Sequence, residues 1–205
     1  RVLFRSILHF MIMKDTKEIA KSTRSHRKLH RIFGSALVAF FFIIAITGLL
    51  LGWKKHSGGL ILPKTEKGTS TDLKIWLSYD SLNTLAIQAL QHSFPENRSA
   101  RIDRIDARPD KGIVKFVFKD HFTEIQLDGS TGKVLAVNQR TSDIIEQIHD
   151  GSILDFLFDT SDGQIKLIYT TLLGGGLLLL SFTGFWLWYN PKRIRKQKEG
   201  VSSVS

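Results

Sequence analysis

The sequence predicts an α-helical membrane protein of two transmembrane helices, with a small α+β domain of one helix on an antiparallel sheet inserted between them. Three observations predict it: two long uncharged apolar blocks, a positive excess confined to the outer flanks of those blocks, and a helical period followed by alternating strands in the segment that separates them.

Residues 32–53 run 22 positions without a charge, and residues 167–190 run 24. At about 1.5 Å per residue, either block is long enough to cross a roughly 30 Å hydrocarbon core. The first holds 13 Leu, Ile, Phe or Val residues. At about −0.3 to −0.6 kcal/mol each, these favour insertion by roughly 4 to 8 kcal/mol. The block is longer than the apolar core of a cleavable signal, and no A-x-A-like site follows it, so it reads as a retained anchor.

The net charge of +10 is unevenly distributed. Residues 1–31 carry nine Lys/Arg against two acids, residues 191–205 five against one, and residues 54–163 fourteen against sixteen. Positive flanks stay cytoplasmic, which places both termini inside and the middle of the chain outside. The basic charge thus encodes topology, and without an aromatic platform or base-reading motif it does not describe a nucleic-acid binder. The first six residues, Arg-Val-Leu-Phe-Arg-Ser, read as a translated library adapter, which puts the natural start at Met11 or Met13. With no cysteine, the chain has neither disulfides nor thiolate metal sites.

Between the blocks, Gly58, Gly59 and Pro63 mark a loop. Leu82, Leu85, Ala86, Ala89 and Leu90 then follow the i, i+3, i+4, i+7 period of an amphipathic helix, which Ser78 or Asp80 caps and Pro95 stops. Ile102, Ile105 and the alternating Ile113, Phe116 and Phe118 predict two half-buried strands about a Pro109-Asp110-Lys111-Gly112 turn. A second pair of strands, 121–127 and 133–138, flanks Asp128-Gly129-Ser130-Thr131-Gly132. Residues 142–149 read as a short helix, and Leu154, Phe156, Leu157 and Phe158 as an apolar stretch at the membrane surface.

The two blocks share a local pattern. Thr47-Gly48 and Thr183-Gly184 recur at a constant offset of 136, with Trp53, Trp186, Trp188 and Tyr189 placed as interfacial anchors. Thr-Gly, like Gly174-Gly175-Gly176, offers a small surface where helices pack closely, within one chain or in a homodimer.

Three stretches carry a resemblance. Lys28-Leu29-His30-Arg31-Ile32-Phe33-Gly34 leads to Thr47-Gly48. Ile125-Gln126-Leu127-Asp128 continues through Thr131-Gly132-Lys133-Val134-Leu135. Ile148-His149-Asp150-Gly151 leads to Thr183-Gly184-Phe185-Trp186-Leu187-Trp188. In this order they resemble the PepSY-associated transmembrane helix family of bacteria, over residues 27–195, in a short two-span form with an external PepSY domain.

The resemblance implies a multi-pass protein of the bacterial inner (cytoplasmic) membrane. The expected division is a basic cytoplasmic segment 1–31, a first span 32–53, a linker 54–74, a PepSY-like extracytoplasmic domain 75–140, an amphipathic juxtamembrane segment 141–166, a second span 167–190 and a basic tail 191–205. Longer members have four or more spans, and some are similar to reductases that release iron from siderophores with membrane haems held by histidines. The PepSY domain is associated elsewhere with protease inhibition or regulation, a binding role.

No nucleophile motif, phosphate loop or supported carboxylate pair is present, so the histidines are the only candidates for chemistry. His26 and His30 share one helix face at the inner end of the first span, and His56 and His149 sit at the outer ends. Two neighbours on one helix face cannot ligate opposite sides of a haem. A haem b therefore takes His56 with His149 from one chain, or His30 from each of two chains; the alternative is that His26 and His30 join a basic patch facing anionic lipid. His92 and His121 read as surface residues. Two functions remain open: an accessory protein, not an enzyme, that presents its domain to a partner in the membrane or periplasm in the setting of iron acquisition, or a small haem-binding electron-transfer subunit.

Overall fold

The structure, a computed structural model, describes residues 2–94, 96, 98–160 and 162–202, with the side chains of all of these except 2–9, 12, 201 and 202. Arg1 and Pro95, the expected helix stop, lie outside the described residues, and of the other five residues of the adapter-like hexapeptide only the backbone is described. The chain divides into two compact units, Arg1–Ala45 with Leu154–Ser205, and Ile46–Ile153.

The first unit contains most of two long helices, α1 (Val2–Trp53) and α5 (Gln164–Ser202). Both are long and apolar enough to cross a membrane, and almost none of their apolar windows is buried inside the protein. A core helix would be buried, so the exposed surface is there to meet lipid. The two helices are antiparallel. Thr23 accepts a hydrogen bond from Asn190 Nδ2 at 3.1 Å, Phe40 meets Tyr169 edge-on, and Leu37 lies over Gly176, where a Cβ would fall 2.3 Å from its Cδ1. The glycine therefore sets how closely the helices approach. α1 continues without a break through the basic segment, and Asp15 reaches Gln197 at 2.5 Å and Arg193 at 3.5 Å. Asp155, on α4 (Ser152–Phe158), accepts from the amides of Ile165 and Lys166 and from the Thr160 hydroxyl, so it satisfies open donors at the start of α5. The Thr160 hydrogen bond, followed by those amides, holds its carboxyl below the ordinary carboxylate range.

The second unit is the α+β domain. Helix α2 (Tyr79–Ser93) is capped by Ser78, whose side chain accepts from Ser81 N. It packs on an antiparallel sheet in the order β1 (Ile102–Arg108), β2 (Ile113–Phe118), β3 (Thr123–Asp128), β4 (Val134–Gln139). Leu82, Ala86 and Leu90 meet Val114, Phe116, Phe118, Ile125 and Leu127 in the core. The β3–β4 turn needs Gly132, at φ 70°, where a Cβ would lie 2.4 Å from Leu85 Cδ1.

Three sequence expectations change here. Ile113 does not share a face with Phe116 and Phe118, because side chains alternate along a strand and an odd spacing puts it on the other side. Ile105 is exposed, because α2 lies mainly over β2, β3 and β4, while Ile102 and Ala107 of the same strand pack against the core. β2 and β3 are buried on both faces rather than one. Residues 64–69 cover the second face: Gln126 Nε2 donates to Lys64 O at 2.7 Å, Glu66 N donates to Gln126 Oε1 at 2.9 Å, and Thr69 N donates to Asp128 Oδ2 at 2.7 Å.

That covered face is polar. Glu124, fully buried, lies 3.3 Å from Lys115 Nζ, pairs with Arg140, and accepts from Gln126. Arg140 and Arg104 also hold Asp143, at 2.9 and 2.6 Å. Burial acts to raise the Asp143 carboxyl, but hydrogen bonds from Arg140 and Arg104 carry it below the ordinary value. Burial pushes the Lys115 ammonium down, partly offset by Glu124. Asp143 stands in the first turn of α3 (Thr141–Asp150), and Ser142 N donates to Ile61 O at 2.8 Å, so the N-terminus of α3 is fixed to the domain.

Candidate functional site: two histidine contacts with Thr-Gly

His30, on α1, is half-buried, and its Nδ1 lies 2.9 Å from Thr183 Oγ1 on α5. Thr183 Oγ1 is also 2.8 Å from Leu179 O and 3.2 Å from Leu180 O. A hydroxyl has one proton, and here it goes to the carbonyls of its own helix. Thr183 therefore accepts from His30 Nδ1–H, and the lone pair of the imidazole sits on Nε2. The ring edge rests on Gly184, where a Cβ would stand 3.5 Å from His30 Cε1.

The second contact is built the same way within the other unit. His149, in the last turn of α3, places Nδ1 2.9 Å from Thr47 Oγ1 near the end of α1. A Cβ on Gly48 would fall 3.3 Å from His149 Cε1, tighter than ordinary packing. The residues after His149 hold its position. Asp150 Oδ1 accepts from Ser152 N at 2.9 Å and from Ser152 Oγ at 2.6 Å, capping the next helix, and Gly151 turns the chain at φ 81°.

Each motif histidine thus meets a Thr-Gly pair of the other motif. The repeat at offset 136 was visible in the sequence, but the pairing was not, because it joins positions 153 and 102 residues apart. The space above Gly48 and Gly184, expected to serve close helix approach, receives the histidine rings.

The other histidines are placed separately. His56 is exposed just after α1, with its ring edge-on to Trp53, and among the described residues no hydrogen bond or ring contact joins it to His149. His26 Nδ1 lies 2.7 Å from Ser22 O, and its ring is 6.2 Å from Trp186. His121 is tied to Thr123 Oγ1 and Ser99 O, and His92 is exposed on α2. Among the described residues, no group of three or more His, Asp or Glu side chains forms a metal cluster. Trp53, Trp188 and Tyr189 are exposed, as interfacial anchors are, and Lys192 Nζ sits 3.6 Å over the Trp188 ring.

A second surface feature went unread in the sequence. Leu73, Ile75 and Tyr79 are 58%, 57% and 56% exposed. The backbone beneath them is fixed, since Leu77 N donates to Gly129 O, Trp76 Nε1 donates to Ser70 O, and the Trp76 ring covers Gly129. No curated protein matches the chain. The family described as the PepSY-associated TM region matches residues 6–190, which takes in most of both long helices, the domain between them and both histidine contacts, and the chain belongs to that family.

Proposed function

We propose that the chain is an accessory protein of the bacterial inner membrane, with both termini cytoplasmic, that holds its PepSY-like domain outside the membrane for a protein partner in the setting of iron uptake. The observation that carries this reading is the exposed apolar run of Leu73, Ile75 and Tyr79 on a fixed backbone. A pre-ordered apolar surface loses little entropy when a partner covers it, and exposed apolar patches mark interaction sites. A photoreactive side chain at Ile75, in native-host membranes, should give one discrete adduct that Leu73→Asp removes while circular dichroism is unchanged. No adduct at Ile75, or one indifferent to Leu73→Asp, overturns the reading.

The His30 contact favours a second reading, a haem-b electron-transfer subunit related to siderophore-iron reductases. Thr183 fixes the tautomer that leaves Nε2 free to ligate, an arrangement that orients many metal-bound imidazoles. His30 would hold the haem through Nε2 together with the His30 of a second chain; in the alternative arrangement, His149 and His56 would hold it. Bound haem would supply one-electron transfer. Protein expressed with ample haem should show a Soret band that His30→Ala removes in the two-chain arrangement, or that His149→Ala and His56→Ala each remove in the other. No Soret absorbance in the wild-type chain rejects this second reading and leaves the first in place.

A further inference from the structure

The sheet is open, with β1 and β4 at its edges. An edge strand presents a row of unpaired backbone donors and acceptors, and proteins usually protect such an edge with charge, proline or a bulge. β1 is protected: Asp103, Arg104, Asp106 and Arg108 stand within its seven residues, and its register is irregular between Ile102 and Arg104. β4 lacks the charge: its sequence Val-Leu-Ala-Val-Asn-Gln has neither charge nor proline, its register with β3 is irregular between Val134 and Ala136 but regular from Ala136 to Gln139, and among the described residues its backbone bonds only to β3. Arg140 N donates to Phe122 O, so by the alternation of an antiparallel ladder Ala136 and Asn138 face β3, and Val137 and Gln139 turn their N–H and C=O outward.

We propose that β4 pairs with β4 of a second copy of this chain, joining two four-stranded sheets edge to edge across a two-fold axis. Three observations select a second copy. The strand is uncharged, so its antiparallel twin brings no like charges together, whereas two copies of β1 would have to desolvate eight charged side chains. The membrane helices confine all copies to one sheet of lipid, which raises their effective concentration without any new contact. A two-fold also closes, so the pairing consumes both free edges and stops at a dimer. Outward residues must pair with outward residues, and the two-fold axis therefore falls on a residue: Ala136, Val137 or Asn138. This inference is independent of the apolar run at residues 73–79.

The chain has no cysteine, so a single introduced cysteine reports without background. Full-length Ala136→Cys, Val137→Cys and Asn138→Cys are oxidised mildly in native membranes. One of the three, at the axis, should form a covalent dimer of twice the chain mass, well above its neighbours, since directly opposed Cβ atoms approach disulfide distance and the next pair does not. Ile105→Cys on the β1 edge should stay monomeric. Gln139→Pro, which removes an outward N–H and the side-chain bond to His121 O but no backbone bond to β3, should abolish the cross-link at the axial cysteine and leave the Ile75 adduct intact. No dimer at any of the three positions, equal dimer at Ile105→Cys, or an adduct of another mass each overturns the proposal, the last in favour of an extended segment of a different protein.

Discussion

Glu124 has no exposed side-chain surface and faces two cations, Lys115, whose side chain is 5% exposed, and Arg140, at 13%. Replacing it with Gln keeps the volume but removes the charge, and leaves a single acceptor oxygen where Gln126 and Arg140 each donate to their own. Arg140 retains Asp143, whereas Lys115 loses its ion-pair partner and keeps the weaker attraction of Asp106 on the neighbouring strand. Breaking a buried pair on one side costs about 3 to 5 kcal/mol, because the remaining charge stays desolvated. For a unit of this size, a loss of about 3 kcal/mol lowers Tm by roughly 12 to 24 °C. The measurement is thermal melting of the detergent-solubilised chain, followed by near-ultraviolet circular dichroism from Trp76, which covers Gly129 in the same unit. Adding Lys115→Met to Glu124→Gln removes the stranded cation, and the double variant should recover most of the loss. If Glu124→Gln melts with the parent, or the double variant is no better than the single one, the carboxylate is not the countercharge that holds this face together. The consequence extends to the candidate site, because Arg140 and Asp143 fix the start of α3 and the end of α3 carries His149.

Leu82→Asp should unfold the domain and abolish its near-ultraviolet signal, since Leu82 is wholly buried between α2 and the sheet and an unpaired carboxylate there costs several kcal/mol; Leu85, only partly buried beside Gly132, should tolerate the same change better. Burial opposes ionisation of Asp128, but hydrogen bonds from Ser130, Thr131 and Thr69 hold its carboxyl far below the ordinary range. A depressed folded pKa gives stability that is complete above the unfolded value of about 3.9 and is lost as pH falls further, so melting should be flat from pH 7 to 5 and decline on stronger acidification, with a smaller decline in Asp128→Asn. For topology, Asp110→Cys should react with a membrane-impermeant maleimide on intact cells and Lys196→Cys only after permeabilisation; the opposite labelling refutes cytoplasmic termini.

The sequence by itself determined the two membrane helices, since uncharged apolar runs of 22 and 24 residues are each long enough to cross the hydrocarbon core. It also determined the α2 helix and the two strand pairs, because period 3.6, period 2 and the turn residues at 109–112 and 128–132 are local signals. His30 and His149 were visible as motif residues. Their partners were not: Thr183 and Thr47 become neighbours only when antiparallel helices and a returning α3 bring distant positions together. Tertiary structure likewise decided the polar face of the sheet. Charges alternating with apolar residues along β2 and β3 read as a solvent face, and only residues 64–69 with Arg140 and Asp143, folded over that face, turn Glu124 and Lys115 into buried ions. Periodicity specifies which face a residue takes, but what covers that face depends on segments remote in the chain.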